Sequence, residues 1–310
     1  MKRLLAFVLL GLVAAGVAAQ DKQPRKDLVL NGDAKCTRCH DAEDNPQLLD
    51  IGKTKHGVRG DSRTPTCTSC HGESDSHVNK PANATERPAP DRTFTKHSTT
   101  PTDTRSDACL ACHKGTARTH WAGSAHQVNQ VACSDCHQVH AATDKVMWRK
   151  TQTQVCFACH REQRADSFKV STHPIKEGKV VCADCHNPHG SPGPSMVKKN
   201  TINETCHTCH AEKRGPFLWE HQPVVENCAN CHLPHGSNLS PMLVSRAPWL
   251  CQSCHDGQHG SENPVGRNAA GNQGGFTGTS PSNQATGRAC LNCHSVIHGS
   301  NSPNGGYFQR

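Results

Sequence analysis

Residues 156–190 read CFACHREQRADSFKVSTHPIKEGKVVCADCHNPHG and contain the pattern that the rest of the chain repeats. Two C-x-x-C-H motifs, Cys156–His160 and Cys182–His186, are accompanied by two further histidines, His173 and His189. In such a motif the two thiols can bond to the vinyl groups of a haem, and the adjacent histidine can bind its iron. This segment therefore has the cysteines to attach two haems and enough histidines to bind each iron on both faces.

The C-x-x-C-H motif occurs ten times and uses all 20 cysteines of the 310-residue chain. A disulfide scaffold, a set of zinc sites or a thiol redox centre has no need of a histidine after every cysteine pair, so covalent attachment of ten c-type haems is the favoured interpretation. The predicted thioether cysteines are Cys36, Cys39, Cys67, Cys70, Cys109, Cys112, Cys133, Cys136, Cys156, Cys159, Cys182, Cys185, Cys206, Cys209, Cys228, Cys231, Cys251, Cys254, Cys290 and Cys293.

The composition predicts the fold class. Hydrophobic residues make up 34% and aromatic residues 4% of the chain, which is too little apolar side chain to offset the entropy lost on folding. Ten porphyrins would supply the missing apolar surface, so the chain without haem is expected not to fold. We predict a multihaem cytochrome c that is mostly irregular, with short α-helices, an extended haem array and little or no β structure. Helices are expected to begin at Ser106-Asp107 and at Asn203-Glu204, the second ending at Gly215-Pro216.

Internal repetition predicts the domain organisation. The segments 133–160, 182–210 and 228–255 align almost without gaps, and each has a methionine seven residues after the histidine that follows its first motif. Repetition of this kind indicates a quasi-linear array of di-haem units. We predict a signal peptide over residues 1–19 and a decahaem domain over 20–310, with five units at about 20–105, 106–150, 151–200, 201–245 and 246–310.

The histidines divide into two predicted sets of iron ligands. The motif itself fixes the proximal ligands as His40, His71, His113, His137, His160, His186, His210, His232, His255 and His294. Repeat register predicts the distal ligands His126, His140, His173, His189, His221 and His235, and analogy at the ends of the array adds His56, His77, His259 and His298.

Two alternatives to these distal ligands remain open. His97 competes with His77, because both lie in the long spacer after the second motif. The repeated methionines Met147, Met196 and Met242 could bind three of the irons, although flexible apolar packing against the ring edges is the preferred interpretation. A histidine three residues after a proximal ligand begins on the same side of that ring, so it is expected to reach a different haem and tie consecutive haems together.

Export from the cytoplasm is predicted at the start of the chain. Met1-Lys2-Arg3 precedes an apolar run over residues 4–17 and small residues before Gln20, which is typical of a cleaved secretory signal. A single membrane anchor is the alternative, but the run is shorter than the roughly 18 to 20 residues that span a bilayer. After cleavage, no segment is apolar enough to span lipid on its own. The predicted location is the periplasm.

The net charge does not indicate a nucleic-acid partner. The formal charge of +8 falls to +6 when Lys2 and Arg3 leave with the signal. Haem propionates and iron centres would bring it to about −4 in the oxidised and about −14 in the reduced protein. The basic residues are therefore expected to pair with propionates or to lie in solvent, and the scarcity of aromatics also argues against nucleic-acid binding.

The predicted ligand set favours electron transfer over catalysis. An iron with imidazole on both faces has no open position for a substrate, so the protein is expected to be an electron carrier with no catalytic residues. A multihaem reductase of nitrogen or sulfur oxyanions would need an iron with an open position, often marked by an altered motif such as C-x-x-C-K. All ten motifs here are unaltered.

The chain resembles the periplasmic decahaem c-type cytochromes of porin–cytochrome conduits, the MtrA/DmsE/PioA type. The resemblance rests on the ten motifs, the exported start without a lipid-attachment cysteine, the C-x-x-C-H-x-P-H-G sequences at Cys182–Gly190 and Cys228–Gly236, and the ending Cys290–Ser300. It implies a row of bis-histidine haems inside an outer-membrane β-barrel porin. The implied partners are that porin, an extracellular cytochrome or terminal reductase, and electron-donor cytochromes of the periplasm or inner membrane. A free periplasmic shuttle or electron-storage cytochrome is the alternative that the sequence leaves open.

Overall fold

The computed structural model describes residues 33–255, 290–303 and 305–308. Helices of four to nine residues and 3-10 segments of three to eight residues alternate with irregular chain. The α-helices are α1 (Ala34–Thr37), α2 (Cys67–His71), α3 (Asp75–Val78), α4 (Thr102–Leu110), α5 (Ala125–Val128), α6 (Cys133–Cys136), α7 (Arg149–Phe157), α8 (Arg161–Asp166), α9 (Cys182–Cys185), α10 (Ile202–Cys206), α11 (Gln222–Glu226), α12 (Trp249–Gln252) and α13 (Cys290–Cys293). The 3-10 turns are Pro46–Lys53, Lys55–Gly57, Thr116–Arg118, Lys145–Met147, Pro194–Met196, Ala211–Lys213, Cys228–Asn230 and Gly305–Tyr307.

β structure is limited to isolated bridges in the described ranges. Four antiparallel bridges occur, and none extends into a strand; they are Ser171 with Ser237, His186 with Val197, Trp219 with Ser300, and His232 with Leu243. The prediction of a mostly irregular chain with short helices and little or no β structure is confirmed.

The C-x-x-C-H motifs occupy two alternating positions relative to the helices. The first, third, fifth, seventh and ninth motifs begin within the last three residues of a helix, as at Cys109 in α4 and Cys156 in α7. The second, fourth, sixth, eighth and tenth motifs begin where a helix or 3-10 turn begins, as at Cys133 in α6 and Cys182 in α9. Each predicted unit therefore joins one motif of each kind.

The two predicted helix starts are wrong in detail. Helix α4 begins four residues before Ser106, which leaves Ser106 buried inside the helix. Helix α10 is preceded by Thr201, whose side chain accepts the N–H of Glu204 at 3.1 Å, and it ends at Cys206 well before Gly215. In both cases the capping side chain that the sequence offered lies inside the helix.

Very few apolar side chains are buried in the part of the chain that the structure describes. The buried hydrophobic residues are Trp121, Ala132, Val181 and Val197. Such a set cannot offset the ordering of more than two hundred residues, because burying one large apolar side chain contributes only about 1.5–3 kcal/mol. Over these described residues the polypeptide alone therefore lacks a hydrophobic core, as the composition predicted. None of the helices in the described ranges has the length and apolar character needed to cross a bilayer.

Candidate haem-binding sites

Each C-x-x-C-H motif forms one tight turn that brings its histidine back toward its first cysteine. In the first motif the His40 N–H donates to the Cys36 carbonyl at 3.0 Å, and the corresponding distances in eight other motifs run from 2.7 to 3.1 Å. In the second motif the whole sequence is helical through His71. The described cysteines form no disulfides. Two thiols and one imidazole are thus presented together by each turn, which is the donor set for covalent haem attachment.

Nine proximal histidines each face a second histidine from a distant part of the sequence. The ring centroids of the pairs are 5.9–6.3 Å apart. The pairs, proximal residue first, are His40 with His77, His71 with His140, His113 with His56, His137 with His189, His160 with His126, His186 with His235, His210 with His173, His232 with His298, and His255 with His221. The distal prediction for His259, opposite His294, lies outside the described residues.

The separation of these rings fits a haem iron between them. Metal–imidazole bonds of about 2 Å on each side place the two ring centroids about 6 Å apart. Direct stacking of two imidazoles would bring them much closer, so the observed gap has room for one planar group. The donor set is also suitable, because two nitrogen ligands and two thioether positions are what a bis-histidine haem c requires.

Hydrogen bonds at Nδ1 orient most of the histidine rings and leave Nε2 available as a metal ligand. The Nδ1 atoms of His77 and His140 lie 2.7 Å from the carbonyls of Pro88 and Leu48. Eight further ring Nδ1 atoms have an oxygen partner; they belong to His40, His71, His126, His137, His173, His186, His232 and His294. A proton at Nδ1 leaves the Nε2 lone pair free, and partners of this kind orient metal-binding imidazoles.

The environment keeps several of the facing rings neutral, which is the protonation state that binds metal. Burial, and to a smaller extent the neighbouring His137, lower the pKa of His189 from its ordinary 6.5 to about 4. Burial is also the largest cause of the lowered pKa in five other histidines; they are His56, His71, His221, His235 and His298.

Contacts between cysteines connect the ten motifs in chain order. Within each predicted unit, the thiols of the first cysteines of the two motifs lie close enough to shift each other's pKa, as in Cys36 with Cys67 and Cys156 with Cys182. The same contact joins Cys109 with Cys133, Cys206 with Cys228, and Cys251 with Cys290. Between units the second cysteines interact electrostatically; these pairs are Cys70 with Cys112, Cys136 with Cys159, Cys185 with Cys209, and Cys231 with Cys254.

In eight of the nine described pairs, the facing histidine comes from the segment that follows a motif two places away along the chain. His140 follows the fourth motif by three residues but faces His71 of the second motif. His126 precedes the fourth motif but faces His160 of the fifth. The prediction that such a histidine reaches a different haem agrees with this geometry. It does not tie consecutive haems together directly, because His140 follows the fourth motif and faces a histidine of the second. The second, fourth, sixth and eighth motifs receive the ring from the segment after the following even motif, and the third, fifth, seventh and ninth receive it from the segment after the preceding odd motif. The first motif is the exception, because His77 follows the second motif.

Consecutive motifs are instead linked through the residue before the facing histidine. The Pro188 carbonyl accepts from Nδ1 of His126 at 2.7 Å, while its neighbour His189 faces His137. One Pro-His-Gly turn therefore orients the rings opposite both the fourth and the fifth motifs. The turn around Pro234 does the same for the sixth and seventh motifs, because its carbonyl accepts from His173 at 3.0 Å.

The remaining histidines and the repeated methionines lie outside these pairs. His97, the competitor of His77, is exposed, as is His120. Met147 is 69% exposed, and the carbonyl of Met196 accepts the N–H of Asn187 at 2.8 Å. The Met242 carbonyl makes the equivalent bond to the N–H of Leu233 at 2.7 Å. At these two positions the repeated methionine contributes its backbone carbonyl to a hydrogen bond that closes the loop after the motif.

Sequence reasoning missed three polar residues at these sites. Asp33 and Asn203 each stand three residues before the first cysteine of a unit, and each side chain accepts the N–H of the unit's next motif at 2.7 Å. Asp144 accepts from Nδ1 of His137 at 2.7 Å. Two features of the sequence could have identified these residues. Asp33 and Asn203 occupy the same position relative to a motif, and the other repeats have no acidic residue at the position equivalent to Asp144.

Comparison with known proteins agrees with this site. Residues 173–215 and 221–260 match the family described as Doubled CXXCH motif, and residues 67–150 match the family described as Cytochrome c-type protein NrfB-like. The chain is also 46% identical over 288 residues to a protein of Shewanella baltica (strain OS185) named Multiheme cytochrome MtrA, covering 90% of this chain and 81% of that protein. With its paired motifs for covalent haem c, the chain belongs to the MtrA-type multihaem c-type cytochromes, which are electron carriers.

Proposed function

We propose that this protein is a periplasmic decahaem cytochrome that carries electrons along a single row of bis-histidine haems between the periplasm and the outer membrane. The observation that carries the proposal is the set of nine facing histidine pairs, whose ring centroids are all 5.9–6.3 Å apart. The tenth pair is proposed to join His294 with His259. Haem c, when bound, supplies an iron that gains and loses one electron without exchanging its ligands.

The chain's own residues have three roles in this proposal. The thioether cysteines hold neighbouring motifs in contact, which supports a row that follows the order of the sequence. The proximal and distal imidazoles fill both axial positions and leave no site for a small molecule. Carbonyls such as that of Pro188 fix the ring orientations, so the axial bonds are already positioned when the oxidation state changes.

The five di-haem units are also part of the proposal. The first cysteines of the two motifs lie close together within each unit, and the Pro-His-Gly turns connect the second unit to the third and the third to the fourth. These contacts support an array that behaves as one rigid path for electrons.

Intact mass and the absorption spectrum of the purified protein test the haem assignment together. We expect the mass of the mature polypeptide plus ten haems, and a fully low-spin spectrum in both oxidation states. A mass equal to that of the bare polypeptide, or several high-spin haems, would contradict the assignment.

The conduit role rests on resemblance and needs its own experiment. We expect the cytochrome to co-purify with an outer-membrane β-barrel porin and to resist protease added to the periplasmic face. Electrons would then pass between periplasmic or inner-membrane donor cytochromes and an extracellular cytochrome or terminal reductase. Release of the intact cytochrome with the soluble periplasmic fraction, together with ready digestion, would instead support a free shuttle.

A further inference from the structure

We propose that Asp144 is a redox-tuning residue that acts through His137 to lower the reduction potential of the haem attached at Cys133. This inference rests on the proposed assignment of His137 as a proximal iron ligand. Asp144 touches neither iron nor porphyrin in this proposal, so it is a positioning residue. Its effect would set the energy of the fourth haem in the row.

The contact between Asp144 and His137 is the first observation. The Oδ2 atom of Asp144 lies 2.7 Å from Nδ1 of His137, and the two side chains are 23% and 33% exposed. The other carboxylate oxygen faces the N–H groups of Gln138 and Val146, each at 3.3 Å. These contacts fix the carboxylate in place, so its negative charge stays next to the ring.

The other even-numbered motifs provide an internal comparison. The Nδ1 atoms of His71, His186 and His232 face main-chain carbonyls of Arg92, Ser195 and Pro241 at 2.9–3.0 Å. His294 also faces a carbonyl. Across the described Nδ1 hydrogen bonds, the acceptor at His137 is a carboxylate and the nine other acceptors are neutral oxygens.

The sequence difference that produces this exception is local. Counting seven residues beyond the proximal histidine gives Asp144 in the fourth motif, Gly193 in the sixth and Leu239 in the eighth. The following methionine keeps the same register in all three repeats. The fourth motif's loop therefore has a carboxylate at a position where the other two loops have no ionisable side chain, and this carboxylate is the acceptor in place of the carbonyls of Ser195 and Pro241.

A carboxylate at Nδ1 makes the imidazole a stronger donor to its metal. Reduction adds one electron, received from an adjacent haem and passed on to the next, and lowers the charge of the iron centre by one. A nearby negative charge favours the oxidised, more positive state. Second-shell partners of this kind change metal-site equilibria by roughly 10- to 100-fold. We therefore expect at least about a tenfold effect on the ratio of reduced to oxidised haem, which is 59 mV for one electron.

The test compares three variants of the full haem-loaded protein by redox titration followed with electron paramagnetic resonance. In Asp144→Asn we expect one haem in ten to shift to a higher potential by about 59 mV and to change its low-spin signal. The control is Glu212→Gln, because Glu212 lies 3.6 Å from Nδ1 of His210 and is 59% exposed, so solvent screens its charge. In Asn45→Asp, which places a carboxylate 2.8 Å from Nδ1 of His40, one haem should shift to a lower potential.

Each result decides the inference. An unchanged titration in Asp144→Asn, or an equal shift in Glu212→Gln, would overturn it. Should Asp144→Asn fail to assemble, Asn45→Asp tests the same physical effect in the opposite direction, and an unshifted titration there would overturn it equally. Intact mass and spin state on the same samples separate this failure from failure of the haem assignment, because they report ten low-spin haems whether or not any potential moves.

Discussion

Replacing Gly190 with alanine should weaken the axial ligation of two haems at once. Gly190 has φ +98, and a Cβ atom built on it would lie 2.0 Å from the His120 carbonyl oxygen. The segment containing Gly190 provides His189 and the Pro188 carbonyl, while His120 leads into His126. The clash therefore lies between the two segments that hold the distal rings of the fourth and fifth motifs.

The size of the displacement follows from the contact. Real Cβ contacts are at least 3.0 Å, so relief from 2.0 Å requires a separation of 1.0 Å between the segments. Metal–ligand distances tolerate about 0.2 Å. A shift five times larger cannot be absorbed by the axial bonds, and the left-handed φ adds roughly 1–2 kcal/mol of backbone strain. We expect about two of ten irons to open to an external ligand.

Carbon monoxide binding to the reduced protein measures the open irons, and the high-spin signal of the oxidised protein measures them independently. Gly178→Ala is the matched control, because Gly178 also has a positive φ (+67) but nothing lies within 4 Å of its added Cβ. That variant should carry backbone strain and keep all ten haems closed. Ten six-coordinate haems in Gly190→Ala, or equal opening in Gly178→Ala, would refute the reasoning.

Three further predictions concern ligands, folding and pH. His77→Ala should open the haem at Cys36, whereas His97→Ala should leave it closed; carbon monoxide titration decides, and the reverse order would replace His77 by His97 as the ligand. Protein made without haem attachment should give the circular dichroism of an unfolded chain, and a cooperative thermal transition would contradict this. Burial lowers the pKa of His189 on folding, and bonding to iron would also keep its ring from taking up a proton, so unfolded chain gains a proton as pH falls through 6.5 and folded chain does not. Stability present above pH 6.5 should therefore decline as pH falls toward 4; a His189→Met variant should lose this part of the pH dependence, and an identical dependence in both proteins would argue against it.

The sequence predicted the local parts of the site because its motif and repeat register are local. His189 and His235 could be chosen by their position after the motif, and the low apolar content correctly indicated a chain without its own core. The pairing could not be predicted, since His140 is three residues from His137 and yet faces His71. The repeat register identifies equivalent residues in the sequence. It does not identify the proximal histidine that each distal histidine faces in the folded chain.

The wrong helix starts and the missed polar contacts have the same physical origin. Ser106 is a good capping residue in isolation, but α4 extends four residues further and buries it. Asn203 was expected to begin a helix, whereas its side chain contacts the next motif at Cys228. In this chain, contacts between motifs decide the use of polar side chains, and local propensity does not include those contacts.

The reach of each facing histidine across two motifs limits how such an array can change its length. Loss of one motif would leave neighbouring irons with a missing ligand on each side. Deletion of one whole repeat is different, because His235 stands where His189 stood and His126 replaces His173, so every remaining iron stays closed. Gene rearrangements that preserve both ligands of every haem iron should therefore add or remove haems in twos.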